Sequence, residues 1–299
     1  MEIASIINIG LGLILAPLLQ GVINKTKASF AGRTGPPLMQ AYFDIIKQLK
    51  KSAVYSKTTS WIFKAGPVVS LAAVLLALAI VPMGGQAAPL AFPGDLLLLA
   101  YILGLMRFFT VIAALDTGSS FEGMGASREV LYSALAEPAL LIGLGAIARE
   151  TKTISLSQIM PRAHFFSPEI VLVVAALLIV FLCENARIPF DDPNTHLELT
   201  MIHEVMVLDH SGPDFAFILY SSSLKLWVLG LLIIGIIFPS PAGSFWLLYS
   251  MISVFGLLLL AVVVGIIEST MARLRLARIP QLIIAAGSLS AFAFILVMR

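Results

Sequence analysis

The chain has 299 residues, of which 59% are hydrophobic and only 12% charged, with a mean hydropathy of +0.98 and a net charge of +2. A water-soluble domain carries about 25% charged residues, so this composition excludes a soluble enzyme, and its apolar wealth excludes a disordered chain. Long apolar runs, each near the ~20 residues that a span needs, predict an all-α polytopic membrane protein; a transmembrane barrel would alternate apolar and polar residues instead.

Eight spans are predicted in chain order, at 3–24, 61–82, 95–115, 130–149, 168–185, 215–238, 244–267 and 279–298, within a single integral membrane domain covering 1–299. The first run lacks a basic leader and a small-residue cleavage site, so it reads as a span and not as a removable signal. Turn signals at Pro82-Met83-Gly84-Gly85, Thr117-Gly118, Ser211-Gly212-Pro213 and Pro239-Ser240-Pro241 punctuate the runs. After the first span, Leu38, Met39, Tyr42, Ile45, Ile46 and Leu49 form one apolar stripe at helical spacing, with Asp44, Lys47, Lys50 and Lys51 off it. This predicts an amphipathic helix on the membrane surface, its lysines near acidic lipid, that also offers a platform to a soluble partner. Thirteen of the nineteen basic residues fall in the loops at about 25–60, 116–129, 184–214 and 268–278 or just beside them, against four on the opposite side. The positive-inside rule makes those loops cytoplasmic and places both termini outside the cell membrane.

A charge at mid-bilayer costs at least ~2.5–3.5 kcal/mol, so each one within a span is a functional candidate. Arg107 lies mid-way along the third span, Glu137 a third of the way into the fourth, Glu184 at the loop end of the fifth and Lys225 mid-way along the sixth. The two cations read equally as structural counter-ions to the glutamates. A carboxylate is too short to snorkel, and among apolar groups it is suited to taking up and releasing protons. The stretch 184–214 holds seven acids (Glu184, Asp191, Asp192, Glu198, Glu204, Asp209, Asp214) against Arg187 alone. Apolar residues interleave with the acids, and Leu197, Met201, Val205 and Leu208 give 194–208 helical character, so a partly buried carboxylate funnel is expected. His196, His203 and His210 recur every seven residues, but their spacing fits no standard zinc motif, and the lone Cys183 excludes a cysteine-ligated cluster or an internal disulfide. Gly118 to Gly125 matches no phosphate-binding pattern and reads as a turn allowing close backbone approach.

Three of these loops carry a family resemblance. Gly32-Arg33-Thr34-Gly35-Pro36, continuing to Gln40, Asp44 and Lys47, resembles the first loop of the complex I membrane subunit that meets the quinone site. Gly118-Ser119-Ser120 and Gly125-Ala126-Ser127-Arg128, with Glu137 nine residues beyond, is similar to that family's second loop. Glu184-Asn185-Ala186-Arg187-Ile188-Pro189-Phe190-Asp191 resembles its Glu-x-Asn-Arg-x-Pro-Phe-Asp signature, with alanine where asparagine is usual. Within the superfamily, Asp191 to Glu204 looks most like the energy-converting nickel–iron hydrogenase branch, formate hydrogenlyase among them. Asn194 and His196 stand where the quinone enzymes carry glutamates.

The resemblance implies a subunit of an oxidoreductase complex with no catalytic activity or redox centre of its own. The nickel–iron centre and iron–sulfur clusters are expected in partner subunits, namely the hydrogenase large and small subunits, alongside antiporter-like membrane subunits. No nucleic-acid partner is expected. Glu137, Glu184, Glu198, Glu204, Arg107 and Lys225 are expected to relay protons. Arg33, Gln40, Asp44, Lys47, Glu122, Arg128, Arg187, Asp191 and Asp192 are expected at the docking face. The alternatives are the quinone-reducing subunit of complex I and a stand-alone proton-coupled transporter.

Overall fold

The computed structural model describes residues 2–162, 167–191, 201–240 and 245–299, with the side chains described from residue 4 onward. Its elements are α1 (Glu2–Phe30), α2 (Gln40–Leu49), α3 (Trp61–Ile80), α4 (Asp95–Asp116), α5 (Ser120–Thr151), the single turn α6 (Leu156–Ile159), α7 (Pro168–Glu184), α8 (Gly212–Ile237), α9 (Trp246–Thr270) and α10 (Ile279–Met298). Short 3-10 turns occupy Glu204–Val207 and Leu276–Arg278, and no strand occurs among the described residues. A long helix stands at each of the eight predicted spans; seven are long and apolar enough to cross a membrane, while α7 has only 17 residues.

The bundle is built around α8. It is apolar on all sides from Leu226 to Ile234, and 72% of its span is buried, whereas none of the other six helices long enough to cross a membrane exceeds 44%. α3 packs on α4 and α8, α1 on α8 and α9, and α10 fills the groove between α5 and α7. Between membrane helices the driving force is close packing, since lipid tails are as apolar as leucine. Trp227, Leu99, Leu144, Ile147 and Ile170 accordingly sit fully enclosed at these crossings.

α2 is the predicted surface helix. It lies against α8 and α1 and is pinned by the Tyr42 hydroxyl, which donates to the Ile14 carbonyl at 2.5 Å. Tyr42 and Ile45 are half-buried, while Leu38, Met39, Ile46 and Leu49 remain exposed, so most of the stripe faces away from the bundle.

The short α7 creates the main irregularity. Its last residue, Glu184, meets Arg107 and Lys225, which lie nine and thirteen residues in from the loop-side ends of their helices. At 1.5 Å per residue these are depths of about 13 and about 20 Å. α7 therefore stops inside the bundle, and the chain beyond it fills the space that a longer helix would occupy. Irregular backbone at such depth is tolerated where protein or a water-lined cavity surrounds it. Met201, Ile202, Val205, Met206 and Val207 are all buried, and Met206 and Val207 pack on Val111, Ala114 and Ala126 of α4 and α5.

The helix expected over 194–208 is thus corrected where it is described. Residues 201–208 hold a single 3-10 turn, Glu204–Val207, within a plug: five of the seven residues from 201 to 207 are enclosed, while His203 and Glu204 are half-buried. Residues 192–200 lie outside the described residues.

Candidate functional site

Five charged side chains from four helices form one continuous chain of ion pairs. Lys225 Nζ of α8 stands 2.9 Å from Glu184 Oε2, and the other oxygen of Glu184 bonds Arg107 Nη2 of α4. The guanidinium reaches α5 twice, with Nη1 at 2.5 Å from Glu137 Oε1 and Nε at 3.4 Å from Glu129 Oε1. Arginine suits this junction because its planar fork presents several donors at once and keeps its charge. Three carboxylates share two cations, so with every group ionised the cluster carries one excess negative charge.

The predicted relay residues are placed as follows. Arg107, Glu137, Glu184 and Lys225 are joined, and Lys225 serves Glu184 rather than Glu137. Glu137 has the basic partner expected of it, but its side chain is 48% exposed on the outer surface of the bundle, while that of Glu184 is enclosed. Glu204 lines a cavity of about 70 Å³ together with Glu184, Lys225, His203, Gln20 and Ser222. A water needs roughly 10–15 Å³ of such space and polar partners, so the cavity accommodates several. A narrower crevice on the other side of Glu184 is bordered by Glu129, Tyr132 and Ser133. Glu198 lies outside the described residues.

The docking candidates divide into two groups. Arg33 and Lys47 are exposed on the α1–α2 segment, and Gln40 Nε2 donates to Asp44 Oδ1 at 2.9 Å nearby. Glu122, Arg187 and Asp191, expected at a docking face, are instead buried within the chain, because the re-entering segment needs polar partners at that depth. Asp191 accepts from the amides of Ile202 and His203 at 2.9 and 3.1 Å and pairs with Arg273 at 2.9 Å. Glu122 accepts from the Asp209 amide at 3.1 Å, and Arg128, half-buried, donates to the Met201 carbonyl at 2.8 Å. Arg187 pairs with Glu268. Gly125 makes the approach possible, since a Cβ there would lie 2.3 Å from Val205 Cγ1. The backbone that this glycine admits belongs to the chain itself. Asp192 lies outside the described residues.

Two acids escaped the sequence reading. Glu129 was visible as a carboxylate two turns before Glu137 on the same helix. Glu268 was visible as an acid in the last turn of its helix, where the macrodipole favours a base. Of the three histidines, His196 lies outside the described residues, His203 borders the cavity, and His210 stacks on Phe63 with centroids 3.9 Å apart. Burial pulls the His210 imidazole down to about 4, so it is neutral at physiological pH.

A family model described as NADH dehydrogenase matches residues 2–299. Formate hydrogenlyase subunit 4 of Escherichia coli (strain K12) is 32% identical to the chain over 291 residues, 94% of each protein. Hydrogenase-4 component C of the same organism is 32% identical over 293 residues, 95% of this chain and 91% of the relative. A chain of the membrane-bound sulfane sulfur reductase, an archaeal respiratory membrane complex, shares the fold with a TM-score of 0.83 over 99% of both chains, at 22% identity.

Proposed function

The chain belongs to the NADH dehydrogenase family and is a multi-pass membrane subunit of a respiratory-type complex, and we propose that in this complex it anchors a hydrogenase arm and couples its electron transfer to ion movement. The complex would be of the formate hydrogenlyase type, in the cell membrane, with both termini outside. Hydrogenase large and small subunits would dock on the loop-bearing end and hold the nickel–iron centre and iron–sulfur clusters. Antiporter-like subunits would complete the membrane part.

The observation that carries this reading is the Lys225–Glu184–Arg107–Glu137 chain with Glu129 as its one surplus carboxylate. One proton brings such a cluster to neutrality, and one proton lost restores the charge, a change that neighbouring subunits sense electrostatically. The polar cavity at Glu204 supplies an approach from the loop-bearing end, and the exposed side of Glu137 supplies an exit at the bundle surface. A half-exposed, ion-paired carboxylate at that depth is costly against lipid tails, which favours a neighbouring membrane subunit or a hydrated path beside it.

The test is purification of the intact complex through a tag on this chain, with its subunits identified by mass spectrometry. Co-purifying hydrogenase large and small subunits are expected. A chain that purifies alone, or with quinone-reducing partners only, would overturn the assignment.

A further inference from the structure

We infer that Glu268 is a positioning residue which, through Arg187, sets how readily the Glu184 cluster takes a proton and, through Lys27, ties that setting to the loop leaving α1. The inference rests on the proton-coupling role proposed above and names a part of its control.

Glu268 lies in the last turn of α9 with its side chain fully buried between two cations. Lys27 Nζ, from the end of α1, stands 2.8 Å from one oxygen, and Arg187 Nη1, from the segment after α7, stands 3.5 Å from the other. The geometry is built in one turn earlier, where a Cβ on Gly265 would lie 2.7 Å from Thr26 Cβ, so only glycine lets α9 approach α1 this closely. Two further links fix the same end of α9 to the segment after α7: Arg273 on Asp191 at 2.9 Å, and the Leu274 amide on the Pro189 carbonyl at 3.0 Å. Lys27 sits just ahead of the exposed 31–39 loop, whose Thr34 carbonyl accepts from Lys25. The clamp therefore joins the loop offered to a partner and the backbone that ends in Glu184.

Its electrostatic effect has a definite sign. Lys27 and Arg187 are the ion-pair partners of Glu268 among the described residues. Arg187 also lines the cavity shared by Glu184, Asp191, Glu204 and His203, with Lys225 facing them from α8; Arg107 of α4 lies behind Glu184, and Arg273 holds Asp191. With Glu268 ionised, much of the Arg187 charge is answered from behind. Removing that negative charge leaves the buried Arg187 and the partly exposed Lys27 without it, and the uncompensated field, chiefly that of Arg187, favours the ionised carboxylates of the cavity. Proton uptake by the cluster then needs a lower pH. Removing Lys27 instead gives Glu268 wholly to Arg187 and moves uptake the other way.

The experiment uses the whole complex in proteoliposomes and follows protons moved per hydrogen turned over as a function of pH, with dye-linked hydrogen turnover as the control for an intact arm. Glu268→Gln is expected to move the acid limb of coupling down by about 0.5–1 pH unit. Lys27→Met should move it up by a smaller amount, and Glu268→Asp should return it close to wild type. A clamp with a structural role alone would lower the yield or the thermal stability of the complex and leave the limb in place. Should Glu268→Gln fail to assemble, Lys27→Met decides, because it leaves the Glu268–Arg187 pair intact; an unmoved limb in that variant overturns the inference. Wild-type complex that moves no protons at any pH would count against the proposed function instead.

Discussion

Glu137 and Glu184 share one guanidinium but occupy different surroundings, and their variants should differ accordingly. Glu137→Gln keeps an oxygen for Arg107 and removes the titratable proton, so native gels should show assembled complex while proton movement falls. Glu137→Leu also removes that acceptor, leaving Arg107 with Glu129 and Glu184, and should cost about 1–3 kcal/mol of stability besides. Full coupling in the Gln variant would make Glu137 structural only. Ala186 offers a separate test. It has φ +49, in the left-handed region that asparagine tolerates better than alanine, at the place where the resembled signature carries asparagine. Ala186→Asn should therefore raise stability by about 0.5–1 kcal/mol, read as a higher unfolding temperature of the purified chain.

At the scale of elements, the segment after α7 depends on what faces it. Gly125→Leu would drive a side chain into Val205 and the Ile202 carbonyl, so residues 201–209 should become readily cleaved in limited proteolysis, at a cost of about 1–3 kcal/mol. The following link to α8 is pH-sensitive with a known sign. His210 is held neutral with its value lowered to about 4, whereas in the unfolded chain it titrates near ~6.5. The native state therefore binds fewer protons, and stability is full above about pH 7 and falls as pH drops from ~6.5 towards ~4, by up to about 3 kcal/mol. Unfolding curves of wild type and His210→Phe across that range should diverge in this way; parallel curves would show that His210 contributes nothing. The eight spans were legible because each long helix is a sustained apolar run. The plug at 201–207 was not, because burial there comes from the early end of α7, a tertiary fact that no periodicity in 194–208 encodes.

At the scale of the whole molecule, in-span charges announced the site by their cost, and Arg107, Glu137, Glu184 and Lys225 do meet. Which pairs with which was not legible, since the spans hold them at different distances from their ends and only packing brings those depths together. Glu122, Arg187 and Asp191 looked like a surface for a partner because they lie in loops, and the fold turns them inward to hold its own backbone. The remaining exposed residues, Arg33 and Lys47 among them, keep the α1–α2 segment as the outward surface of that end. The central claim is that the cluster around Glu184 couples hydrogen turnover to ion movement, and Glu184→Gln tests it at nearly constant size, removing the titratable proton and leaving one oxygen to accept from one of the two cations. In membrane vesicles holding the intact complex, protons moved per hydrogen turned over should fall several-fold in this variant while dye-linked hydrogen turnover is retained. A wild-type proton-to-hydrogen ratio in the Gln variant would contradict the account.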